Sequence, residues 1–399
     1  MRRTLAIAVA ASALVLSLFV ALVPGSESGS LGRWNSDHYS HYSAVVLFWH
    51  RGLSIYDTPV RDLCDVPTQA TRAFAKVHQI SEDDMCELPE RAGERPLTIN
   101  WPTFPRPYPP GQLLFHAPEA LLYARTDVSR YAINRLTIIK DILAGHLAVW
   151  LLLTALLFGP DDDDRRFWRS LAPLVVPLVY FGLVPASVVG FYDPLSIAFV
   201  CIAIARMRDD KPIGAITWLS LAVFLHLRAV WYAPLGVACL LRLRSPDHRG
   251  ELETWRGKLA LAVGIGALGL TTIMLTRVAP YLSRFPGTNH AMLFHAPLGP
   301  GSIDLLFLLA VVTSFLVRER QWLLIATIAW QALVVGTTYQ VQTWHGMFFL
   351  PLLALARWKR TGPLATGAVL VFIVGVARLV FDAAPMPGMF LSHLLHGNL

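Results

Sequence analysis

Apolar and polar positions divide the chain into distinct parts. Residues 1–23 form an apolar run after Arg2 and Arg3, residues 24–134 are largely polar, and residues 135–381 are a nearly continuous series of apolar segments. A helix needs about 20 apolar residues to cross a bilayer. The pattern therefore predicts an all-α polytopic membrane protein with a first transmembrane helix, a long loop, a transmembrane bundle and a tail at residues 382–399.

About eleven spans are predicted, and the short connections between them set the orientation. The first run has a long apolar part and no small-x-small site before Pro24, which favours an uncleaved span over a cleaved signal peptide. Alternate connections are basic, as at Arg165–Arg166 and Arg357–Arg360, and basic connections stay in the cytoplasm. The loop and the carboxyl terminus are then extracytoplasmic, in a protein of the cell inner (plasma) membrane. The spans after the loop are Arg135–Phe158, Ser170–Val188, Pro194–Met207, Ile213–Leu227, Ala229–Leu243, Lys258–Arg277, Ile303–Val317, Trp322–Thr337, Trp344–Ala356 and Pro363–Phe381.

The long loop contains two helical patterns that do not span. The stretch from Gly111 to Tyr123 is interrupted by Pro118 and, at about 1.5 Å per residue, is too short to cross a bilayer, so it predicts an interfacial or re-entrant helix. An earlier stripe at helical spacing predicts an amphipathic helix lying along the membrane surface. Its members are Tyr39, Tyr42, Val46, Trp49 and Leu53.

Composition agrees with a membrane protein. Of 399 residues, 54% are hydrophobic and only 15% are charged, which is too few for the surface of a soluble domain of this size. The net charge of +7 comes from residues in short connections, which predicts membrane anchoring rather than nucleic-acid binding. Cys201 and Cys239 lie in apolar segments and are expected to be buried. Cys64 and Cys86 share the loop, where a disulfide and two free thiols are both open alternatives.

The polar run that begins at Asp37 directly follows the first span. Its carboxylate is a candidate general base, although Ser36 or Asp37 capping the following helix is the simpler interpretation. The neighbouring His38, His41 and His50 lack the spacing of a closed metal site and are expected to be interfacial polar residues. No metal site is predicted.

Arg228 is the second candidate for chemistry. Residues 213–243 lie between two basic flanks, which predicts a hairpin with its tip at Leu227 and Arg228. Each arm of about 15 residues covers only about 22 Å, so the tip lies below the outer membrane surface and Arg228 faces an outward-facing cavity. An Arg in such a place is costly and usually functional. Snorkelling to the interface is the structural alternative.

The order of these features resembles the GT-C glycosyltransferases, and within them the polyprenyl-phosphate-mannose-dependent branch, glycosyltransferase family 87. The features are an apolar first span, an Asp just outside it, the segment GLSIYD at Gly52–Asp57, the turn PRPYPPG at Pro105–Gly111, and then many spans. The resemblance is best over residues 31–125. It continues through His226–Pro234 and through Thr343-Trp344-His345, which Pro351 follows.

The resemblance implies an inverting transfer of a hexose, with mannose as the expected sugar, from a polyprenyl-phosphate donor to an extracytoplasmic lipid or glycan acceptor. Asp37 matches the catalytic base, while Arg228 and His345 match residues that bind the donor phosphate. Candidates for the substrate pocket are Tyr56, Asp57 and Tyr108. No cofactor is implied, and the use of a divalent cation stays open. A lipid-phosphate donor also agrees with the lack of a D-x-D motif in the outer loop and of a Gly-rich phosphate cradle.

Two other functions are compatible with the sequence. One is a related transferase for a different lipid-linked sugar, such as arabinose. The other is a transporter or flippase of lipid-linked saccharides. Transporters tend to have paired inverted repeats and polar residues near the membrane midplane, whereas this chain concentrates its polar chemistry in one outer loop.

Overall fold

The computed structural model describes residues 10–18, 36–66, 68–69, 72–73, 76, 85–87, 97–98, 105–106, 108–128, 130–159, 162–189, 193–282, 323, 326–327, 330, 348 and 350–355. These residues are mostly helical, which confirms the predicted all-α class. Residues 10–18, within the predicted first span, form a helix. The remaining α-helices are α1 (Ser36–Arg51), α2 (Pro110–Phe115), α3 (Ala117–Arg125), α4 (Arg130–Leu157), α5 (Asp162–Ser170), α6 (Ala172–Val189), α7 (Asp193–Arg208), α8 (Pro212–Leu225), α9 (Ala233–Leu243), α10 (Pro246–Glu253), α11 (Trp255–Leu282) and α12 (Leu352–Leu355).

Short elements complete the described part. Three 3-10 helices follow α1 or lie in the hairpin, at Gly52–Tyr56, Val60–Leu63 and Leu227–Tyr232. Two antiparallel strands of two residues each, β1 (Met85–Cys86) and β2 (Leu97–Thr98), pair in the loop. Cys64 and Cys86 form a disulfide with their Cα atoms 5.1 Å apart, which decides between the two alternatives that the sequence left open.

The six predicted apolar segments between residues 135 and 277 are all helical, with bounds that agree to within five residues. Two helices, Ala132–Leu157 and Trp255–Ala279, are long and apolar enough to cross a membrane. Pro212–Leu225 is a shorter apolar helix. Length and composition of the two long helices indicate membrane association. The spans predicted at Ile303–Val317 and Pro363–Phe381 lie outside the described residues.

Helices α4, α6, α7, α8 and α9 surround one large apolar cluster, and α11 packs against α8. Their basic connections meet at one end of this bundle, which we call the basic end. There Arg242 Nη1 pairs with Asp210 Oδ1 at 2.6 Å, and Arg208 Nη1 donates to the carbonyl oxygen of Ala155 at 3.0 Å. The amide of Ile213 also donates to Glu251 Oε2 at 3.4 Å. These contacts join α4, α7, α8, α9 and α10 at this end.

The loop helices cover the opposite end of the bundle, which we call the loop end. A second apolar cluster there joins α1, the 3-10 helix after it, α2 and α3 to Leu227 at the hairpin tip and to Met274 and Val278 near the end of α11. The middle of α1 is buried on all sides. Tyr42 and Val46 of the predicted stripe are 0% and 2% exposed, and His41 on another face is 3% exposed. Of the stripe members whose side chains the structure describes, Trp49 and Leu53, at 44% and 40%, fit the surface-lying helix that the sequence predicted.

The burial of α1 has a tertiary cause. Helices α2, α3 and α4 and strand β2 all contact it, so both its apolar and its polar faces are enclosed by the protein. A stripe of aromatic residues in sequence does not distinguish lipid from a protein partner, since both are apolar surroundings. The predicted re-entrant stretch is likewise two short helices, α2 and α3, separated at His116.

Candidate functional site

The hairpin tip is built from a change of backbone direction at His226. Helix α8 ends at Leu225, His226 takes an extended conformation, and the 3-10 helix Leu227–Tyr232 leads into α9 with Pro234 in its first turn. Proline fits this position because the first turn of a helix needs no amide donor there. The His226 side chain caps the 3-10 helix, since its Nδ1 accepts the backbone N–H of Arg228 at 3.2 Å.

Arg228 lies in a small buried cluster of charged and polar side chains. Asp193, the first residue of α7, places its Oδ1 3.3 Å from Arg228 Nη1 and 3.1 Å from His226 Nε2. The side chains of Asp193, His226 and Arg228 are 4%, 8% and 13% exposed. Arg228 is therefore the most accessible member of this Asp193–His226–Arg228 triad.

The hydrogen bonds assign the charges of the triad. Because His226 Nδ1 accepts a backbone N–H, its proton sits on Nε2, which donates to Asp193. His226 is then neutral, and within the triad the negative charge of Asp193 is balanced by Arg228. Carrying no net charge, the triad avoids the cost of an unpaired charge in an apolar setting.

The late part of the chain holds the hairpin tip in place. The Phe348 ring lies 5.4 Å from the His226 ring, and the Tyr232 hydroxyl donates to the carbonyl oxygen of Phe348 at 2.6 Å. Trp330 Nε1 donates to the carbonyl oxygen of Val230 at 3.2 Å. His345, the predicted second phosphate ligand, lies outside the described residues. Phe348, three residues further along the chain, contacts His226 in the triad.

A second polar cluster joins α1 to the turn before α2. Arg106 Nη2 lies 3.0 Å from His41 Nδ1, and Gln112 Nε2 is hydrogen-bonded to the same nitrogen. Arg106 also donates through Nη2 to Gln112 Oε1 at 3.4 Å. His41 Nδ1 faces two donors, so it is the unprotonated nitrogen of a neutral ring. The three side chains are 3%, 5% and 1% exposed for His41, Arg106 and Gln112, so this network is internal.

The second polar cluster continues across to α4 through a stacked pair of imidazoles. The His41 and His116 rings have centroids 4.8 Å apart. Lys140 Nζ lies 3.1 Å from His116 Nδ1, donates to the carbonyl oxygen of Phe115 at 2.7 Å, and pairs with Glu119 Oε1 at 2.5 Å. Lys140 thus joins the start of α4 to both α2 and α3, and its charge is balanced within the cluster by that of buried Glu119.

The predicted pocket residues have mostly structural contacts. Tyr108 lies under the Arg106 guanidinium, 4.6 Å from it, and Asp57 Oδ2 pairs with Arg277 Nη1 of α11 at 2.7 Å. The Tyr56 side chain is 1% exposed, and its hydroxyl makes no hydrogen bond within the described part of the chain. Burial raises the pKa of Tyr56, and the nearby positive charge of Arg106 opposes part of that rise.

Asp37 lies in the first turn of α1, and its side chain is outside the described part of the structure. Helix α1 and the hairpin tip share the apolar cluster of the loop end, through Tyr42 and Leu227 among others. Helix α2 also touches the end of α8: a Cβ atom on Gly111 would lie 2.5 Å from the carbonyl oxygen of Phe224. The element that carries Asp37 and the element that carries Arg228 therefore belong to one packed unit.

Sequence reasoning missed the partners of Arg228 and the buried role of His41. Asp193 was detectable as a carboxylate between two apolar segments and directly before Pro194, a position that marks a helix start. His226 lies two residues before Arg228. Arg106 and His41 are 65 residues apart, and no local pattern pairs them.

Among the residues that the structure describes, no group of three or more His, Cys, Asp or Glu side chains could hold a metal ion. A scan against protein-family models gave no match to this chain. A search of curated proteins also gave no match.

Proposed function

We propose that the protein is an inverting GT-C-type glycosyltransferase, which transfers a hexose from a polyprenyl-phosphate donor to an extracytoplasmic lipid or glycan. The order of its sequence motifs favours mannose as the hexose. The observation that carries the proposal is Arg228. It is a nearly buried cation at a hairpin tip, and the tip packs in one unit with α1, which carries Asp37 in its first turn. Transfer from a lipid-linked sugar phosphate requires a cation that stabilises the leaving phosphate and a carboxylate that accepts the proton of the acceptor hydroxyl.

The proposed topology has eleven spans in the inner (plasma) membrane. The basic connections lie in the cytoplasm, and the long loop with its interfacial helices lies outside. Two observations support this arrangement. Arg208 at the end of α7 and Arg242 at the end of α9 make their contacts at the same end of the bundle, as the positive-inside rule requires for cytoplasmic connections. The loop at the other end contains the Cys64–Cys86 disulfide, a bond that persists mainly outside the reducing cytoplasm.

In the proposed reaction Asp37 takes the proton of the acceptor hydroxyl as that oxygen attacks the anomeric carbon. Arg228, together with His345, stabilises the departing polyprenyl phosphate. The leaving phosphate is a weak base and needs no protonation, so a charge-assisted hydrogen bond from a guanidinium is sufficient. The contacts of Asp57 with Arg277 and of Tyr108 with Arg106 favour a role for both residues in shaping the loop.

Transfer from a radiolabelled donor tests the proposal. The purified protein is incubated with polyprenyl-phosphate mannose, or in parallel polyprenyl-phosphate arabinose, and a membrane lipid extract, and the product is identified by mass spectrometry. We expect a mannosylated product and a fall of about 10²- to 10⁴-fold in turnover for Asp37→Asn. Full activity of a folded Asp37→Asn protein would refute the base assignment. Absence of product from every donor would refute the function.

The phosphate role of Arg228 has a matched control at the basic end. Arg242 also pairs with an aspartate, Asp210, but this pair is more exposed and lies at the opposite end of the bundle. Arg228→Ala should raise the KM for the donor by about 10- to 100-fold, since a hydrogen bond to a charged group contributes about 1.5–3 kcal/mol. Arg242→Ala should leave the donor KM unchanged. Equal donor KM values in the two variants would contradict the phosphate role.

A topology reporter tests the proposed orientation independently of activity. Fusions near Ala73 in the loop should report an extracytoplasmic position, and fusions near Asp209 should report a cytoplasmic one. A cytoplasmic signal near Ala73 would place the loop on the wrong side for this site.

A further inference from the structure

We propose that Asp193 is a positioning residue that both orients Arg228 and limits its affinity for the leaving polyprenyl phosphate. The inference rests on the proposed function for its substrate class. Its geometry is that of the Asp193–His226–Arg228 triad, in which one carboxylate oxygen contacts both other side chains at 3.1 and 3.3 Å.

The orientation part follows from the two contacts of Asp193. A guanidinium is a planar fork of five N–H donors, and Asp193 holds it through Nη1. The backbone of Arg228 is held at the same time by His226 Nδ1. Side chain and backbone of Arg228 are thus tied to α7 and to the cap of the hairpin. An Arg side chain free in a pocket has many rotamers, and fixing it beforehand lowers the entropy cost of binding a phosphate.

The affinity part follows from the charge balance. Asp193 is 4% exposed and neutralises Arg228, so a phosphate at the triad meets a polar group without net positive charge. An enzyme gains no turnover from binding the leaving group too tightly, because uniform binding slows its release. A phosphate bound to the Arg228 guanidinium would lie on the side away from Asp193, and the two negative charges would repel each other. At a separation of about 7 Å and an effective dielectric constant of about 20–80, this repulsion weakens binding by roughly 3- to 50-fold.

Two substitutions at position 193 separate orientation from charge. Asp193→Asn keeps the size and an oxygen acceptor but removes the charge. Asp193→Ala removes both. We therefore expect Asp193→Asn to bind the phosphate more tightly than wild type, and Asp193→Ala to bind it more weakly than Asp193→Asn. Asp210→Asn, in the matched pair at the basic end, should have no effect on phosphate binding.

The first measurement is binding of a polyprenyl monophosphate of defined length to the full-length protein in detergent, combined with donor kinetics. For Asp193→Asn we expect roughly 3- to 50-fold tighter binding of the monophosphate, together with a lower donor KM and a lower kcat. A purely structural role of Asp193 would lower kcat or protein yield without lowering KM. Unchanged or weaker binding by Asp193→Asn would overturn the affinity part.

The second measurement needs no substrate. Phenylglyoxal modifies accessible arginines, and mass spectrometry of peptides reports the modification at Arg228 and Arg242 separately. Asp193→Ala should increase modification of Arg228 several-fold and leave Arg242 unchanged, and Asp210→Ala should leave modification of Arg228 unchanged. Unchanged reactivity of Arg228 in Asp193→Ala would overturn the orientation part. If wild type binds no polyprenyl monophosphate, the proposed function and the affinity part fail together, while this reactivity still decides the orientation part.

Discussion

Replacing Gly111 by alanine should push α2 away from the end of α8. A Cβ atom at position 111 would lie 2.5 Å from the carbonyl oxygen of Phe224, 2.8 Å from its carbonyl carbon and 2.7 Å from its Cδ1. Ordinary contacts begin at 3.4 Å, so the two backbones must separate by about 0.9 Å, the difference between 3.4 and 2.5 Å. Two of the three contacted atoms belong to the main chain and cannot rotate away.

The cost of this separation can be measured against a matched control. Overpacking of this kind destabilises by about 1–3 kcal/mol. Gly266 in α11 is also helical, but nothing lies within 4 Å of a Cβ atom built on it. Gly266→Ala therefore gains helix propensity without a clash. The difference between the two variants in the free energy of unfolding measures the cost of the clash at position 111.

The assay is thermal unfolding of each full-length variant in detergent, followed by tryptophan fluorescence. We expect Gly111→Ala to unfold at a lower temperature than Gly266→Ala. Because Phe224 is two residues before His226, donor use by Gly111→Ala should fall as well, through displacement of the Asp193–His226–Arg228 triad. Equal unfolding temperatures of the two alanine variants would refute the close approach of α2 to α8.

Three further predictions concern the loop end. Lys140→Met should destabilise the protein by about 3–5 kcal/mol because it leaves buried Glu119 without its cation. In the double variant with Glu119→Gln, part of the lost free energy of unfolding, measured by denaturant titration, should return. Replacing Cys64 and Cys86 by serine should cost about 3 kcal/mol through the lost loop constraint, and in wild type these two thiols should react with maleimide only after reduction. For Tyr56 the raised pKa means that the hydroxyl keeps its proton to a higher pH in the folded state than in the unfolded state. The free energy of unfolding of wild type should therefore fall as pH rises above about 10. In Tyr56→Phe this contribution to the fall should be absent when unfolding is measured between pH 9 and 11.

Buried contacts of Arg106 hold the Pro-rich turn of the loop in place. The backbone N–H of Arg106 donates to the carbonyl oxygen of Ile55 at 2.6 Å, and its guanidinium contacts His41. The Pro-rich turn is thus attached to both α1 and the 3-10 helix after it. Motions of the turn relative to Asp37 would have to break buried charge-assisted hydrogen bonds, so we expect this part of the site to be rigid.

The sequence alone determined the helical class and the positions of most helices. Apolar runs, the prolines that begin α2, α8 and α9, and the basic connections are local signals, and each acts within a few residues of itself. For the same reason the hairpin with its tip at Arg228 could be predicted, because its two arms and its basic flanks are continuous in sequence. The cysteines that could bond were also visible, although not whether they did.

Only the tertiary structure decided which polar groups meet. Asp193 and Arg228 are 35 residues apart, His41 and Arg106 are 65 apart, and Asp57 and Arg277 are 220 apart. Each pairing depends on how helices pack, and a carboxylate or an imidazole has the same local sequence signature whether it faces water, lipid or a buried cation. The helix α1 illustrates this. Its aromatic stripe correctly predicted a helix, but three helices and a strand, all distant in sequence, enclose it and turn an expected surface element into part of the core.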